Sequence, residues 1–115
     1  VGKPVSMMLL KENATVTICH SKTKNLTAVT QNADILIAAI GKAKMITKNY
    51  IKDGATIIDV GINTDKDGNL CGDVDTDDCL EKAGLITPVP MGVGSVTTAV
   101  LAKHVMKASE MATPK

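Results

Sequence analysis

The sequence predicts an α/β domain, a parallel sheet with helices on both faces. Two observations carry this. Short apolar segments, ILIAA at 35–39 and ATIIDV at 55–60, alternate with stretches of helical periodicity. Near-continuous apolar strands of that length are the kind buried on both faces. Each run is then closed by a glycine, Gly41 or Gly61, as happens where strands turn at the carboxyl edge of a parallel sheet.

The elements follow in order. Residues 4–12 read as a helix, with Pro4 in its first turn and Val5, Met8 and Leu9 on one face. Residues 15–19, TVTIC, are β-branched and apolar and read as a strand. Asn25 is placed to cap a second helix carrying Leu26 and Val29, and Thr47 to cap a short helical turn through Ile51. Asp53-Gly54 and Asp67-Gly68 mark turns, the second in a small hairpin. Residues 76–83 read as a short helix and 85–87 as a short strand. Residues 95–109 read as the longest helix, holding His104 as a packing or surface residue. The domain spans 1–112, with a tail at 113–115. No internal repeat or low-complexity segment divides it.

Composition narrows the function classes. The 115 residues carry 13 basic and 12 acidic side chains, a net charge of +1, so there is no basic footprint for nucleic acid. Tyr50 is the only aromatic residue, which removes base-stacking platforms. No apolar run approaches the ~20 residues of a membrane span. Cys19, Cys71 and Cys79 are odd in number and lack metal-knuckle spacing, which fits reduced thiols in a cytoplasmic compartment. Asn63, Asp65, Asp67 and Gly68 begin like a calcium loop, but Val74 stands where its bidentate glutamate belongs. No metal is therefore expected. Asp75, Asp77 and Asp78 sit where a helix start attracts acids.

The chain opens on a helix with no strand before it. Gly2 and Pro4 look like the end of a phosphate loop, and the first, central strand of a dinucleotide-binding sheet would precede them. A fragment of a longer protein is the expectation. About 20 residues past such a loop, dinucleotide folds choose their ribose contact. Here that position is His20-Ser21-Lys22-Thr23, a hydroxyl and a cation with no acid, which suits a 2′-phosphate. Gly41 and Gly61 would allow close backbone approach to a ligand at the sheet edge. Residues 88–97, PVPMGVGSVT, combine two prolines, two glycines and a following helix, a loop built to present backbone to an anion or a ring carboxamide.

Val1-Gly2-Lys3-Pro4, His20-Ser21-Lys22-Thr23, Asp59-Val60-Gly61-Ile62-Asn63, Gly72-Asp73-Val74 and Ile86-Thr87-Pro88-Val89-Pro90-Met91-Gly92-Val93-Gly94 occur in one order. Together they resemble the bifunctional methylenetetrahydrofolate dehydrogenase/methenyltetrahydrofolate cyclohydrolase family, over nearly the whole chain. The resemblance implies a Rossmann-like cofactor domain whose first strand and N-terminal catalytic domain are missing here. It implies oxidation of 5,10-methylenetetrahydrofolate with NADP, or NAD, and hydrolysis of the methenyl product to 10-formyltetrahydrofolate. It implies a homodimer at full length, with the catalytic residues in the N-terminal part and this chain inactive alone. Carried over, Ser21 and Lys22 contact the adenosine 2′ position and Ile62 the nicotinamide end. Pro90, Met91, Gly92, Val93 and Gly94 lie between folate and nicotinamide, with Gly94 and Thr97 also on the cofactor side; Gly41, from its place at the strand end and not from the resemblance, is a further cofactor-binding candidate. Met91, Ser95 and Val96 stand where the family pattern has glycine, proline and methionine. The alternatives are another NAD(P)-dependent Rossmann module or a non-catalytic binding module.

Overall fold

The computed structural model describes residues 2–95. In chain order the elements are α1 (Gly2–Lys11), α2 (Leu26–Thr30), β1 (Ile35–Ala38), a 3-10 turn (Lys48–Tyr50), β2 (Thr56–Asp59), β3 (Asn63–Thr64), β4 (Leu70–Cys71), α3 (Thr76–Cys79) and β5 (Leu85–Ile86). The sheet has the order β1-β2-β5 and is parallel throughout. Ile35 to Ala38 pair in register with Thr56 to Asp59, and Thr56 and Ile57 with Leu85 and Ile86. All three strands therefore end on one edge. This is the expected Rossmann-like arrangement, a parallel sheet with helices. A separate antiparallel hairpin, β3-β4, pairs Asn63 with Cys71 and turns at Asp67-Gly68 as expected.

The core is aliphatic. Ala38, Ile46, Ile51, Ile57, Val74 and Cys79 form one buried cluster, with Leu36, Tyr50, Ala83 and Ile86 packed against it. Ile57, at the centre of the middle strand, is fully buried. Removing such a side chain from water contributes about 1.5–3 kcal/mol.

Several expectations are corrected. Residues 15–19 form no strand, and Ile18 is exposed. A strand exists only as part of a ladder, and among the described residues nothing lies alongside this one, so its β-branched composition has nothing to act on. β1 is not buried on both faces, since Ile35 is exposed and Leu36 and Ile37 half-buried; among the described residues β1 has a neighbouring strand on one side only. Asn25 and Thr47 make no side-chain cap bond. Asn25 instead adopts a left-handed φ of 52°, a conformation asparagine tolerates. The 76–83 helix stops at Cys79, where turns take over, and α1 begins two residues earlier than read and buries none of its side chains. Most of the 95–109 helix, with Thr97 and His104, lies outside the described residues.

Candidate functional site

Two buried aspartates shape the carboxyl edge of the sheet. Asp59 ends β2 and is 1% exposed; Asp73 follows β4 and is fully buried. A buried carboxylate is tolerated only when its lone pairs are filled, and both are. Asp59 accepts from the backbone N–H of Gly61 and Asp73 on one oxygen, each at 3.0 Å, and from Val74 at 3.0 Å on the other. Its own N–H donates to Thr87 Oγ1 at 2.8 Å, which ties the end of β2 to the end of β5. Asp73 accepts from Ile40 N at 2.6 Å, from Gly41 N at 3.1 and 3.2 Å, from Lys42 N at 3.1 Å and from Asn63 Nδ2 at 2.9 Å. The two carboxylates thus hold the loops after β1 and β2 and the segment after β4 in one unit.

The electrostatics of Asp73 follow from that shell. Burial pushes its pKa up, but the Asn63 amide and the three backbone N–H groups outweigh it and hold the carboxyl below its usual range. Glycine is required at Gly72, where a Cβ would fall inside the Asp59 carboxylate. Burial, assisted by Asp78 and Asp75 against an opposing Lys82, pushes the Cys79 thiol up to about 11.

Between the ends of β2 and β5 opens a cleft of about 310 Å³, the lower end of small-molecule pocket sizes. Its walls are residues 59–62, Leu70 and residues 88–95. Among the described residues, Asp59 and Ser95 are the only ones in the wall with polar side chains. The Asp59 oxygens are engaged inward, so the wall offered to a ligand is apolar side chain, backbone and the Ser95 hydroxyl. Ile62 stands on the lip at 70% exposure and Met91 at 82%. The Val89-Pro90 peptide is cis. At Gly92 a Cβ would collide with the Pro88 carbonyl, so the loop doubles back too tightly for a side chain. At Gly94 a Cβ would meet nothing within 4 Å, so that stretch of backbone borders open space. Residues 93–95 begin a helix.

The structure therefore brings together Ile62, Pro90, Met91, Gly92, Val93 and Gly94. It does not bring Ser21, Lys22 or Gly41 into the cleft wall. Gly41 sits at the same sheet edge, with its N–H held by Asp73. Ser21 and Lys22 lie in a separate exposed turn. Thr97 lies outside the described residues. Sequence reasoning passed over Asp59 and Asp73 as organisers. The available signal was an acid ending an apolar strand with glycine two residues on, and a second acid directly after Gly72.

An apolar cleft bordered by backbone thus stands at the carboxyl edge of the parallel sheet, where ligands bind in open α/β folds. The comparisons show the family. Residues 1–113 match the family model described as tetrahydrofolate dehydrogenase/cyclohydrolase, NAD(P)-binding domain. The chain is 68% identical over 111 residues to the bifunctional protein FolD of Clostridioides difficile, covering 96% of this chain and 39% of that protein. It is 61% identical over 113 residues to the FolD of Carboxydothermus hydrogenoformans, with the same coverage of 96% and 39%. It thus spans about 39% of the length of these curated relatives. Among solved structures, the bifunctional enzyme FolD of Campylobacter jejuni superposes with a TM-score of 0.90 at 42% identity, over 96% of this chain and 39% of that one. The Trypanosoma brucei methylenetetrahydrofolate dehydrogenase-cyclohydrolase, solved with NADP cofactor and an inhibitor, gives 0.81 at 39% identity, over 91% and 38%. The chain belongs to the tetrahydrofolate dehydrogenase/cyclohydrolase family, as its NAD(P)-binding domain.

Proposed function

We propose that this chain is the cofactor-holding part of an enzyme that oxidises 5,10-methylenetetrahydrofolate with NADP and hydrolyses 5,10-methenyltetrahydrofolate to 10-formyltetrahydrofolate. The observation that carries the reading is the apolar cleft between residues 59–62 and the Pro-Gly loop at 88–95. Family membership and the NADP complex of the trypanosome relative support it. When bound, the nicotinamide cofactor supplies hydride-accepting chemistry.

The residues of this chain bind and orient. Ile62 and the backbone of 92–94 hold the nicotinamide end, with Thr97 and Gly41 on the cofactor side. Pro90 and Met91 border the folate. Asp59 keeps these walls at a fixed separation, because one carboxylate binds the Gly61 amide while its own N–H is held by Thr87 at the root of the loop. The apolar wall excludes water from the space between folate and nicotinamide. Ser21 and Lys22, which offer a hydroxyl and an ammonium with no acid beside them, select the 2′-phosphate of NADP over the hydroxyl of NAD.

The domain runs over 1–112, and the acid–base groups of both reactions come from the N-terminal part of the same enzyme. The full-length protein is a cytoplasmic homodimer. No helix among the described residues is long and apolar enough to cross a membrane.

The test is a calorimetric titration with NADP of a chain of the relatives' full length, with and without Gly92→Ala. The added methyl displaces the loop from Pro88 and weakens binding about tenfold, equivalent to ~1.4 kcal/mol. Unchanged affinity in the variant would contradict the reading. Turnover by the 115-residue chain alone would contradict the assignment of acid–base chemistry elsewhere.

A further inference from the structure

The turn that carries Ser21 and Lys22 is closed by a histidine side chain. The backbone N–H of Lys22 donates to His20 Nδ1 at 3.1 Å. The N–H of His20 donates to Thr23 Oγ1 at 2.8 Å, and the N–H of Thr23 returns to the His20 carbonyl at 3.0 Å. The two residues between are thereby fixed from both sides, while all of 20–22 remains exposed. His20 and Thr23 use their side chains inward on the turn, and those of Ser21 and Lys22 make no hydrogen bond within the described residues. An exposed loop normally samples many backbone states, and each residue held in one state costs about 1–2 kcal/mol of entropy. Here that ordering is present before any ligand arrives, which raises affinity for whatever the two free side chains grip.

We propose that His20 is a positioning residue for 2′-phosphate recognition. Its imidazole acts through the backbone of Lys22 and sets the directions of the Ser21 hydroxyl and the Lys22 ammonium. The chemistry needed is an acceptor one atom beyond Cγ that can take an N–H two residues on. Neutral histidine supplies it through Nδ1, and asparagine supplies it through Oδ1 in an Asx turn. Alanine supplies nothing. This inference rests on the proposed role of Ser21 and Lys22, and the experiment separates the two.

In a chain of the relatives' full length, dissociation constants for NADP and for NAD are measured for the wild type, His20→Ala, His20→Asn, Ser21→Ala and Lys22→Ala. His20→Ala is expected to weaken NADP about tenfold and leave NAD within twofold, and His20→Asn to recover wild-type NADP binding within twofold. Equal weakening of both nucleotides in His20→Ala, no weakening of either, or failure of asparagine to rescue would overturn the proposal. If Ser21→Ala and Lys22→Ala leave the NADP-to-NAD ratio unchanged, the reading of the turn fails and the role of His20 falls with it. If they shift the ratio and His20→Ala does not, only the positioning role is lost.

Discussion

Replacing Asp73 by asparagine keeps the shape of the side chain and removes one acceptor oxygen. One Asp73 oxygen takes Lys42 N and Asn63 Nδ2, and the other takes Ile40 N at 2.6 Å. Whichever way the new amide turns, its NH₂ faces a backbone N–H that then has no acceptor. An unpaired buried donor costs about 1–3 kcal/mol, and the remaining bonds lose their charge assistance, so the sum is about 3 kcal/mol. At roughly 4 °C per kcal/mol, Asp73→Asn should lower the melting temperature by about 12 °C at pH 7. The assay is thermal unfolding followed by circular dichroism, repeated over pH. The folded-state pKa of Asp73 lies below its ordinary 3.8, so its contribution is complete above 3.8 and is lost as the pH falls through the folded value. The gap between wild type and variant should therefore narrow in acid. A melting temperature within about 2 °C of wild type at pH 7, or a gap that widens as pH falls, would refute the reasoning.

Other perturbations test other parts of the account. Gly72→Ala drives a methyl into the Asp59 carboxylate and should destabilise by about 3 kcal/mol, read from the urea midpoint. Ile57→Ala empties the fully buried centre of β2 and should cost about 2–5 kcal/mol, whereas Ile57→Val should cost about 0.5–1.5. Met91 holds a φ of 74° where the family pattern has glycine. Met91→Gly should relieve a left-handed penalty of about 1–2 kcal/mol, less the entropy glycine adds to the unfolded chain, and so stabilise by about 1 kcal/mol. The Cys79 thiol, buried and pushed up to about 11, should react with a disulfide reagent at pH 8 far more slowly than the half-buried Cys19; equal rates in the native state would contradict its placement.

What the sequence made legible was what depends on neighbours along the chain. The apolar runs at 35–39 and 55–60 gave β1 and β2, the Asp67-Gly68 turn gave the hairpin, and the Pro-Gly loop gave one wall of the cleft. What it hid depends on partners far away. Asp73 draws its backbone donors from residues 31 to 33 positions back, and no local pattern announces that. Asp59 reads as a polar break in a strand, yet it is the group that joins the strand ends. Residues 15–19 show the reverse case, a segment with strand composition and no ladder to enter. Asn25 sits before a helix like a cap and instead contributes a left-handed turn.

The most direct measurement is an amide spectrum of an isotopically labelled chain of the relatives' full length, titrated with NADP. The account predicts that the signals of Ile62, Gly92 and Gly94 shift at one end of the cofactor, and those of Ser21 and Lys22 at the other. Saturating NADP that leaves all five amides unmoved, or moves only residues remote from the carboxyl edge of the sheet, would contradict it.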